Sequence, residues 1–295
     1  MKIALLGRDI SNSVSPELHK LLAPMLADSQ VAGLHYELVD CKESCDVAAW
    51  IKHAFSNRFS GANVTMPYKD LAFELAQSSL GAATEIQSAN TLAFFADNVT
   101  SVSTDGAGFR NALKRELPTF NLGGYHLIAV GAGGAAKAVL HSMLSDSMPL
   151  SLTIANRSAD AANQLVQSLS TAQNGPSARV IPFESLRTIR ASLDAPVVVL
   201  QATPVGKQGT PGNLLDGFAW RDRDIAIDLV YDPKQTAFLS EAAEAAAKTI
   251  SGLGMLIEQA ALSQKYWRSG TLSDDSPISE SEYHTIKSKL THLLN

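Results

Sequence analysis

The chain has few of the features that mark secreted or metal-binding proteins. Its 295 residues include two cysteines, and aromatic residues make up 6% of the composition. Two cysteines cannot build a disulfide framework, and no further His or Cys stands at a spacing that would complete a zinc pattern with Cys41 and Cys45. We therefore predict free thiols, no metal site and a cytoplasmic location.

Long hydrophobic runs and clusters of positive charge are also absent. After Lys2, only residues 3–6 are apolar before polar residues begin, and no segment approaches the roughly 20 apolar residues of a membrane helix. Lys and Arg number 24 against 29 Asp and Glu, which gives a net charge of −5, and the basic residues are scattered. We expect no signal peptide, no membrane partner and no nucleic-acid partner.

What is present is an alternation of apolar strand-like and amphipathic helix-like segments in two blocks. The composition, 45% hydrophobic and 18% charged, is that of a globular protein, and the length suits two domains. Strands are predicted at 3–6, 36–39, 62–65, 91–95, 127–130, 150–155, 180–183, 197–201 and 225–230, with helices beginning near Pro16, Cys45 and Pro67. This pattern predicts two α/β domains.

The boundary between the blocks is predicted in the helix-like segment 106–117. The second block ends near Thr249, and nothing strand-like follows it. A helix is predicted at 255–267, and another begins at Ser279, where Ser279 and Glu282 form a capping-box pattern. We expect these helices to return to the first domain, which then comprises residues 1–106 and 250–295, and the second domain comprises 107–249.

A glycine turn between a strand and a helix is the most informative single motif. Apolar residues 127–130 lead into Gly131, Ala132, Gly133, Gly134, Ala135 and Ala136, which satisfies the G-x-G-x-x-G/A pattern. Gly131 allows a tight turn, Gly133 allows the backbone to approach a pyrophosphate, and Ala136 lets the helix pack close to the strand. The alternative is a turn that only closes a βαβ unit.

The end of the next strand indicates which dinucleotide would bind. The sequence there is Asn156-Arg157-Ser158, at the position where an acidic residue would read the ribose hydroxyl of NAD. Arg157 is instead a cation suited to a 2′-phosphate, so the motif favours NADP.

Two serines precede the first helix of the chain. Ser15 and Pro16 form a good N-cap and N1 pair, which explains Ser15 without any ligand. Ser13 and Ser15 together, ahead of a helix N-terminus, are also able to hold a small carboxylate. Both interpretations remain open from these residues alone.

Lys69 and Asp105 are the candidate proton-transfer pair. Lys69 is expected in the first turn of a helix, where the helix dipole disfavours a cation. It follows Asn63 and Thr65, which we place on one face of a strand end. A solvated lysine or an ordinary salt bridge is the simpler explanation, whereas in a cleft the two groups would transfer a proton.

Taken together, several segments resemble the shikimate dehydrogenase family along nearly the whole chain. They are SNSVSPELH, GANVTMPYKD, SANTL, STDGAGF, GAGGAAKAV, NRS, DLVYDP and GLGMLIEQAA, in the family's order and spacing. The resemblance implies an N-terminal substrate domain with a mostly parallel sheet, an NADP-binding Rossmann domain and C-terminal helices that return to the first domain.

The resemblance also implies roles for individual residues. Lys69 and Asp105 would be the catalytic pair. The substrate-binding residues would be Ser13 and Ser15 for the carboxylate, and Asn63, Thr65, Asn90, Thr104, Asp105, Tyr231 and Gln259 for the rest of the substrate. The cofactor-binding residues would be Gly131, Ala132, Gly133, Gly134, Ala135, Asn156, Arg157, Ser158, Leu229 and Gly252.

The chain departs from the family pattern at several positions around these motifs. Asp9 stands where the family usually has Pro, Asn12 where His is common, Tyr68 where His is frequent, Ser103 where Asn is usual, and Gln201 and Lys207 where Asn and Met are usual. An acidic Asp9 near Ser13 would repel an acidic substrate, whereas none of the departures removes a proposed catalytic group.

The leading hypothesis is an NADP-dependent oxidoreductase of chorismate biosynthesis that interconverts 3-dehydroshikimate and shikimate, as a monomer or homodimer. The alternatives are a quinate dehydrogenase that uses NAD, a non-catalytic sensor of a ring acid on the same fold, and another two-domain NADP enzyme such as a methylene-tetrahydrofolate dehydrogenase. Retention of Lys69 and Asp105 disfavours the sensor, and the Ser13 and Ser15 pair disfavours the last enzyme.

Overall fold

The computed structural model describes residues 1–26, 33–95, 98–170 and 178–294. The chain forms two compact units. The first unit comprises Met1–Asn111 and Ile257–Leu293, and the second comprises Ala112–Leu256. None of the helices in the described part of the chain combines the length and apolar character that crossing a membrane requires. Cys41 is buried, Cys45 is exposed, and both are free thiols.

Helices and strands alternate through most of the described chain. The strands are β1 Lys2–Gly7, β2 His35–Asp40, β3 Gly61–Val64, β4 Ser78–Leu80, β5 Thr91–Phe95, β6 Asn98–Val102, β7 His126–Val130, β8 Ser151–Ala155, β9 Ala178–Ile181, β10 Val197–Gln201, β11 Ile225–Asp228 and β12 Lys248–Ser251. The α-helices are α1 Ser15–Leu22, α2 Ser44–Ser56, α3 Lys69–Leu75, α4 Ala82–Ile86, α5 Asp105–Glu116, α6 Gly134–Asp146, α7 Ala159–Ser170, α8 Leu186–Ile189, α9 Ala237–Glu244, α10 Leu253–Ser269 and α11 Glu280–Leu293.

The sheet of the first unit has the strand order β2-β1-β3-β5-β6-β4. Strand β1 pairs in parallel with β2 and β3, and β4 pairs in parallel with β6. Strand β5 runs antiparallel to both β3 and β6. The sheet is therefore mixed, and the sequence analysis did not identify β4 or β6.

The second unit has a fully parallel sheet in the order β12-β11-β10-β7-β8-β9. Its central strands β7 and β10 are buried along most of their length, as expected where helices cover both faces of a parallel sheet. The predicted α/β class with a Rossmann-type unit is confirmed. Strand β12 was not predicted, because Ile250 is its one large apolar residue.

The last helix begins as its sequence pattern predicts. The Ser279 N–H donates to Glu282 Oε2 at 2.8 Å, and the Glu282 N–H lies 3.4 Å from Ser279 Oγ. These reciprocal bonds satisfy two backbone donors that would otherwise have no partner inside the helix. The predicted capping box is therefore confirmed.

Candidate active site

Lys69 and Asp105 form a close ion pair in the first unit. Lys69 is the first residue of α3 and Asp105 the first residue of α5. Lys69 Nζ donates to Asp105 Oδ2 at 2.6 Å, and the two side chains are 17% and 6% exposed. A surface lysine would be mostly solvated, so the structure does not support the interpretation of Lys69 as a solvent-exposed side chain.

The backbone around β3 and β5 fixes the position of this pair. The Val64 N–H donates to Asn90 O at 2.7 Å, and the Ala89 N–H donates to Lys69 O at 2.9 Å. The segment before β5 is thus joined to the beginning of α3. As a result Asn90, which precedes β5, lies directly beside the ion pair.

Asn90 links Asp105 to Gln259. Its amide nitrogen lies 3.0 Å from Asp105 Oδ1, 3.1 Å from Gln259 Oε1 and 2.9 Å from Thr104 Oγ1. Its amide oxygen accepts from the Thr104 N–H at 2.8 Å and from the Thr91 hydroxyl at 3.1 Å. Because donors occupy the oxygen, the orientation of the amide is fixed, and its N–H groups face Asp105 and Gln259.

Asn63 lies in a buried polar layer next to these groups. Its amide oxygen accepts from the Tyr36 hydroxyl at 2.8 Å, and its nitrogen lies 3.3 Å from Ser263 Oγ. Thr65 is half-buried at the end of β3, where its N–H donates to Leu6 O at 2.9 Å. The sequence analysis did not identify Thr91 or Ser263 as part of this layer. The one signal for Ser263 was its position four residues after Gln259, on the same face of α10.

Ser13 and Ser15 form a hydroxyl pair at the start of α1. Ser13 Oγ donates to Ser15 Oγ at 3.1 Å, and the Ser15 N–H lies 3.3 Å from Ser13 Oγ. The prediction that Ser15 caps the helix is wrong. The N-cap residue is Val14, whose side chain makes no capping hydrogen bond. Burial raises the pKa of the Tyr36 phenol, and a hydrogen bond with Ser15 opposes this shift.

The departure at Asp9 is balanced locally. Asp9 Oδ1 lies 3.2 Å from Lys42 Nζ, and Lys42 also contacts Asp40 at 2.6 Å. The Asp9 side chain is 78% exposed. The hydrogen bond from Lys42 lowers the pKa of Asp40. The negative charge that would repel an acidic substrate near Ser13 therefore has a cation beside it.

The glycine turn of the second unit has the geometry expected of a phosphate-binding turn. Gly131 has a φ of +107°, and a Cβ there would lie 3.0 Å from Ala202 O, so a side chain at this position would be strained. Gly133 is extended, is the N-cap of α6, and has open space where a Cβ would be. The first turn of α6 has no acidic residue and its N-cap residue has no side chain. The first N–H groups of the helix therefore suit a bound anion.

The segment after β8 presents Arg157. Asn156 Nδ2 donates to Ser158 O at 2.9 Å, and Ser158 Oγ accepts from the Ala161 N–H at 3.2 Å, which caps α7. Arg157 is exposed, and none of the residues that the structure describes forms a hydrogen bond or ion pair with its guanidinium. Asn156 and Ser158 thus shape the turn, and Arg157 remains available for a ligand.

Leu229 and Gly252 are in direct contact within the second unit. A Cβ at Gly252 would lie 2.2 Å from Leu229 O, and the Gly252 N–H donates to Val230 O at 3.2 Å. Only glycine allows this approach. Tyr231, two residues after Leu229, is half-buried, and burial raises the pKa of its phenol.

Gln201, another departure from the family pattern, organises the loop after β10. Its amide oxygen accepts from the N–H and hydroxyl of Thr203 at 2.6 and 2.7 Å, and its nitrogen donates to Val205 O at 2.8 Å. Its strand partner Asp228 accepts from the Thr236 hydroxyl at 2.7 Å, and burial raises the pKa of this carboxyl to about 6. The longer side chain of glutamine thus holds the loop that adjoins Gly131.

Comparisons with known proteins agree on one family. Residues 5–92 match the family model described as shikimate dehydrogenase substrate binding domain. The NADP(+) shikimate dehydrogenase of Halorhodospira halophila is 35% identical over 292 residues, with 94% of this chain and 96% of that protein covered. The enzyme of the same name from Alteromonas mediterranea is 33% identical over 270 residues, with 90% of each chain covered.

Solved structures agree with this result. The shikimate 5-dehydrogenase of Thermus thermophilus, solved in complex with NADP(H) and shikimate, aligns with a TM-score of 0.74 and 27% identity. The alignment covers 98% of this chain and 99% of that one. Sequence identity above 30% over nine-tenths of the chain, together with the shared fold, confirms the predicted relationship: this chain belongs to the shikimate dehydrogenase family.

Proposed function

We propose that this protein is an NADP-dependent shikimate dehydrogenase that reversibly reduces 3-dehydroshikimate to shikimate. The observation that carries the proposal is the shielded Lys69–Asp105 pair, with a 2.6 Å contact and the Asn90 amide beside it. The names of the relatives in Halorhodospira halophila and Alteromonas mediterranea support both the activity and the cofactor. This reaction is a step in chorismate and aromatic amino acid biosynthesis.

The proposal assigns substrate binding to residues 1–106 with 250–295, and cofactor binding to 107–249. In the first domain Ser13 and Ser15 would hold the carboxylate by hydroxyl donation. The ring hydroxyls would contact Thr65, Asn90, Asp105 and Gln259, with Asn63 and Thr104 completing the site. The protein would act as a monomer or homodimer in the cytoplasm.

The residues of the second unit fit NADP. The Gly131–Ala135 turn and the N-terminus of α6 would hold the pyrophosphate, and the exposed Arg157 guanidinium would pair with the 2′-phosphate. Leu229 and Gly252 would line the nicotinamide site. When bound, NADPH would supply the hydride for reduction of the ketone, and NADP⁺ would accept the hydride when shikimate is oxidised.

The chemistry of this chain's own residues is proton transfer. Reduction of a ring ketone leaves negative charge on its oxygen, so an acid must deliver a proton to that oxygen. The Lys69 ammonium would deliver it. Asp105 holds the ammonium in place through the 2.6 Å contact, and low exposure of both groups strengthens their interaction. In the oxidation direction Lys69 would accept the proton of the substrate hydroxyl.

The proposal is tested by one spectrophotometric assay at about 340 nm, where NADPH and NADH absorb. Shikimate and quinate are each combined with NADP and with NAD. We expect the highest kcat/KM for shikimate with NADP. A preference for quinate with NAD would replace the proposed activity by the alternative one, and no turnover in any combination would favour the ring-acid sensor.

Replacing Arg157 with alanine tests the cofactor assignment. We expect the NADP affinity to fall roughly 10- to 100-fold, the scale of one charge-assisted contact, while NAD affinity hardly changes. Calorimetric titration of both cofactors measures the two losses. Arg223→Ala, an exposed arginine on the amino side of β11, is the control and should affect neither. Equal losses of NADP and NAD affinity in Arg157→Ala would contradict the assignment.

Replacing Ser13 or Ser15 with alanine tests the carboxylate site. A hydroxyl donor to a carboxylate acts in the ground and transition states alike, so KM for shikimate should rise roughly 10-fold while kcat changes little. Because Ser15 does not cap α1, the melting temperature of Ser15→Ala should not show the loss that removal of a helix cap causes. Unchanged shikimate affinity in both variants would place the carboxylate elsewhere.

A further inference from the structure

Ser263 is a buried polar residue to which the proposed mechanism assigns no role. It lies on α10 with 0% of its surface exposed. Its hydroxyl donates to Gln259 O at 2.8 Å and lies 2.8 Å from Thr91 Oγ1 and 3.0 Å from Thr104 Oγ1. With Asn63 Nδ2 at 3.3 Å, this single hydroxyl touches β3, β5 and the connection before α5.

Two of these contacts lead directly to the amide that faces the ion pair. The Thr91 hydroxyl donates to Asn90 Oδ1 at 3.1 Å, and Thr104 contacts the same oxygen through its N–H at 2.8 Å. The Thr91 hydroxyl uses its one proton on Asn90 Oδ1, so the 2.8 Å contact between Thr91 and Ser263 is made by the Ser263 proton, which Ser263 shares with Gln259 O. The direction of the hydrogen bonds is therefore set from α10 inward to Asn90.

The distance between α10 and α5 is also fixed. Gly108 on α5 has no room for a side chain, because a Cβ there would lie 2.6 Å from Gln259 N and 2.8 Å from Gln259 Cα. Since backbone meets backbone at this point, α10 cannot move towards α5 to replace a lost hydroxyl.

We propose that Ser263 is a positioning residue for substrate recognition, because it holds Thr91 and Thr104 so that the Asn90 amide presents its N–H groups towards Asp105 and Gln259. The inference rests on the proposed function, since the ligand concerned is the hydroxyl next to the reacting carbon of the ring. Ser263 itself does not need to touch that ligand.

Ser263→Ala leaves a group of Thr91, Thr104 or Asn63 without one of its partners in a buried site. The group can find another partner if its side chain rotates. When the Thr91 or Thr104 hydroxyl rotates, it no longer holds the Asn90 amide, and the amide is free to turn. We expect kcat/KM for shikimate to fall roughly 10-fold, the scale of one buried hydrogen bond, with NADP affinity unchanged.

The deciding measurement compares shikimate with an analogue that lacks the hydroxyl next to the reacting carbon. The parent enzyme should discriminate between the two by kcat/KM, and Ser263→Ala should reduce this ratio roughly fivefold or more, because the misplaced amide no longer recognises the hydroxyl. A purely structural serine would lower the melting temperature and leave the ratio unchanged.

Ser88→Ala is the matched control. Ser88 is 1% exposed, and its hydroxyl has no hydrogen-bond partner among the described residues, so its removal should change neither the ratio nor the NADP affinity. Ser263→Cys keeps the size of the side chain with a weaker donor and should give an intermediate ratio. It provides the same measurement if the alanine variant does not fold.

The outcomes separate this inference from the proposed function. An active parent whose discrimination ratio is the same in Ser263→Ala and Ser263→Cys overturns the positioning role alone. A parent enzyme that does not oxidise shikimate with NADP overturns the proposed function, and the positioning role with it.

Discussion

Replacing Lys69 with alanine is expected to lower kcat for shikimate oxidation roughly 10²- to 10⁴-fold, with a smaller effect on KM. General acid–base catalysis acts chiefly in the transition state, so removal of the proton carrier affects turnover more than binding. The fold should survive, because α3 begins at Lys69 and its side chain is not part of the apolar core. Steady-state rates at saturating shikimate and NADP measure the loss.

Lys52→Ala is the control for this experiment. Lys52 is an exposed lysine on α2 of the same unit, and its removal should leave kcat unchanged. Calorimetric titration should show parental NADP affinity in both variants. A Lys69→Ala enzyme with parental turnover would remove the mechanism, because the ion pair would then be only a structural contact.

The strands that could be predicted from the sequence are those that consist of consecutive apolar residues. Residues 127–130 and 197–200 are continuous apolar runs, and the structure buries them completely. Strands β4 and β6 are different, because the side chains that meet between them are hydroxyl groups. Ser78 Oγ lies 2.9 Å from Thr100 Oγ1, and Ser79 Oγ lies 2.7 Å from Ser101 Oγ. Such polar pairs become favourable only when the partner strand is present, so the single sequence does not indicate them.

The start of α1 shows how a good local pattern can be overridden. Serine before proline is a strong N-cap signal, yet Val14 already has α-helical angles, with φ of −82° and ψ of −1°, and Ser15 is the first helical residue. The Ser15 hydroxyl accepts from Ser13 instead of from a backbone N–H. A side-chain contact thus takes the place of the backbone contact that a Ser15 cap would make.

The candidate site was predictable to the extent that its residues stand in recognisable motifs. Lys69 and Asp105 are 36 positions apart and were paired on chemical grounds and by resemblance. Thr91 and Ser263 are 172 positions apart, and each is an ordinary residue in its own segment. Only packing of α10 against the sheet brings their hydroxyls together, and no local pattern carries that information.

Asp105→Asn is expected to lower kcat roughly 10²-fold, because the neutral amide no longer stabilises the Lys69 ammonium. In the parent protein Oδ2 accepts from Lys69 at 2.6 Å and Oδ1 accepts from Asn90 at 3.0 Å. An amide offers one acceptor atom in place of two, so one of these donors loses its partner. Because the substitution keeps the size of the side chain, the melting temperature should change little while kcat falls.

The double variant decides whether the two groups act as one unit. If Asp105 acts through Lys69, then Lys69→Ala with Asp105→Asn should have nearly the kcat of Lys69→Ala alone, since the partner has nothing left to position. Asp216→Asn is the matched control, because Asp216 is an exposed partner of Arg187 in the other unit and its effect should simply multiply with that of Lys69→Ala. Single and double variants are compared at saturating shikimate and NADP. Fully multiplicative losses for Lys69→Ala and Asp105→Asn would show that Asp105 contributes independently, and the proton-transfer pair would then have to be abandoned.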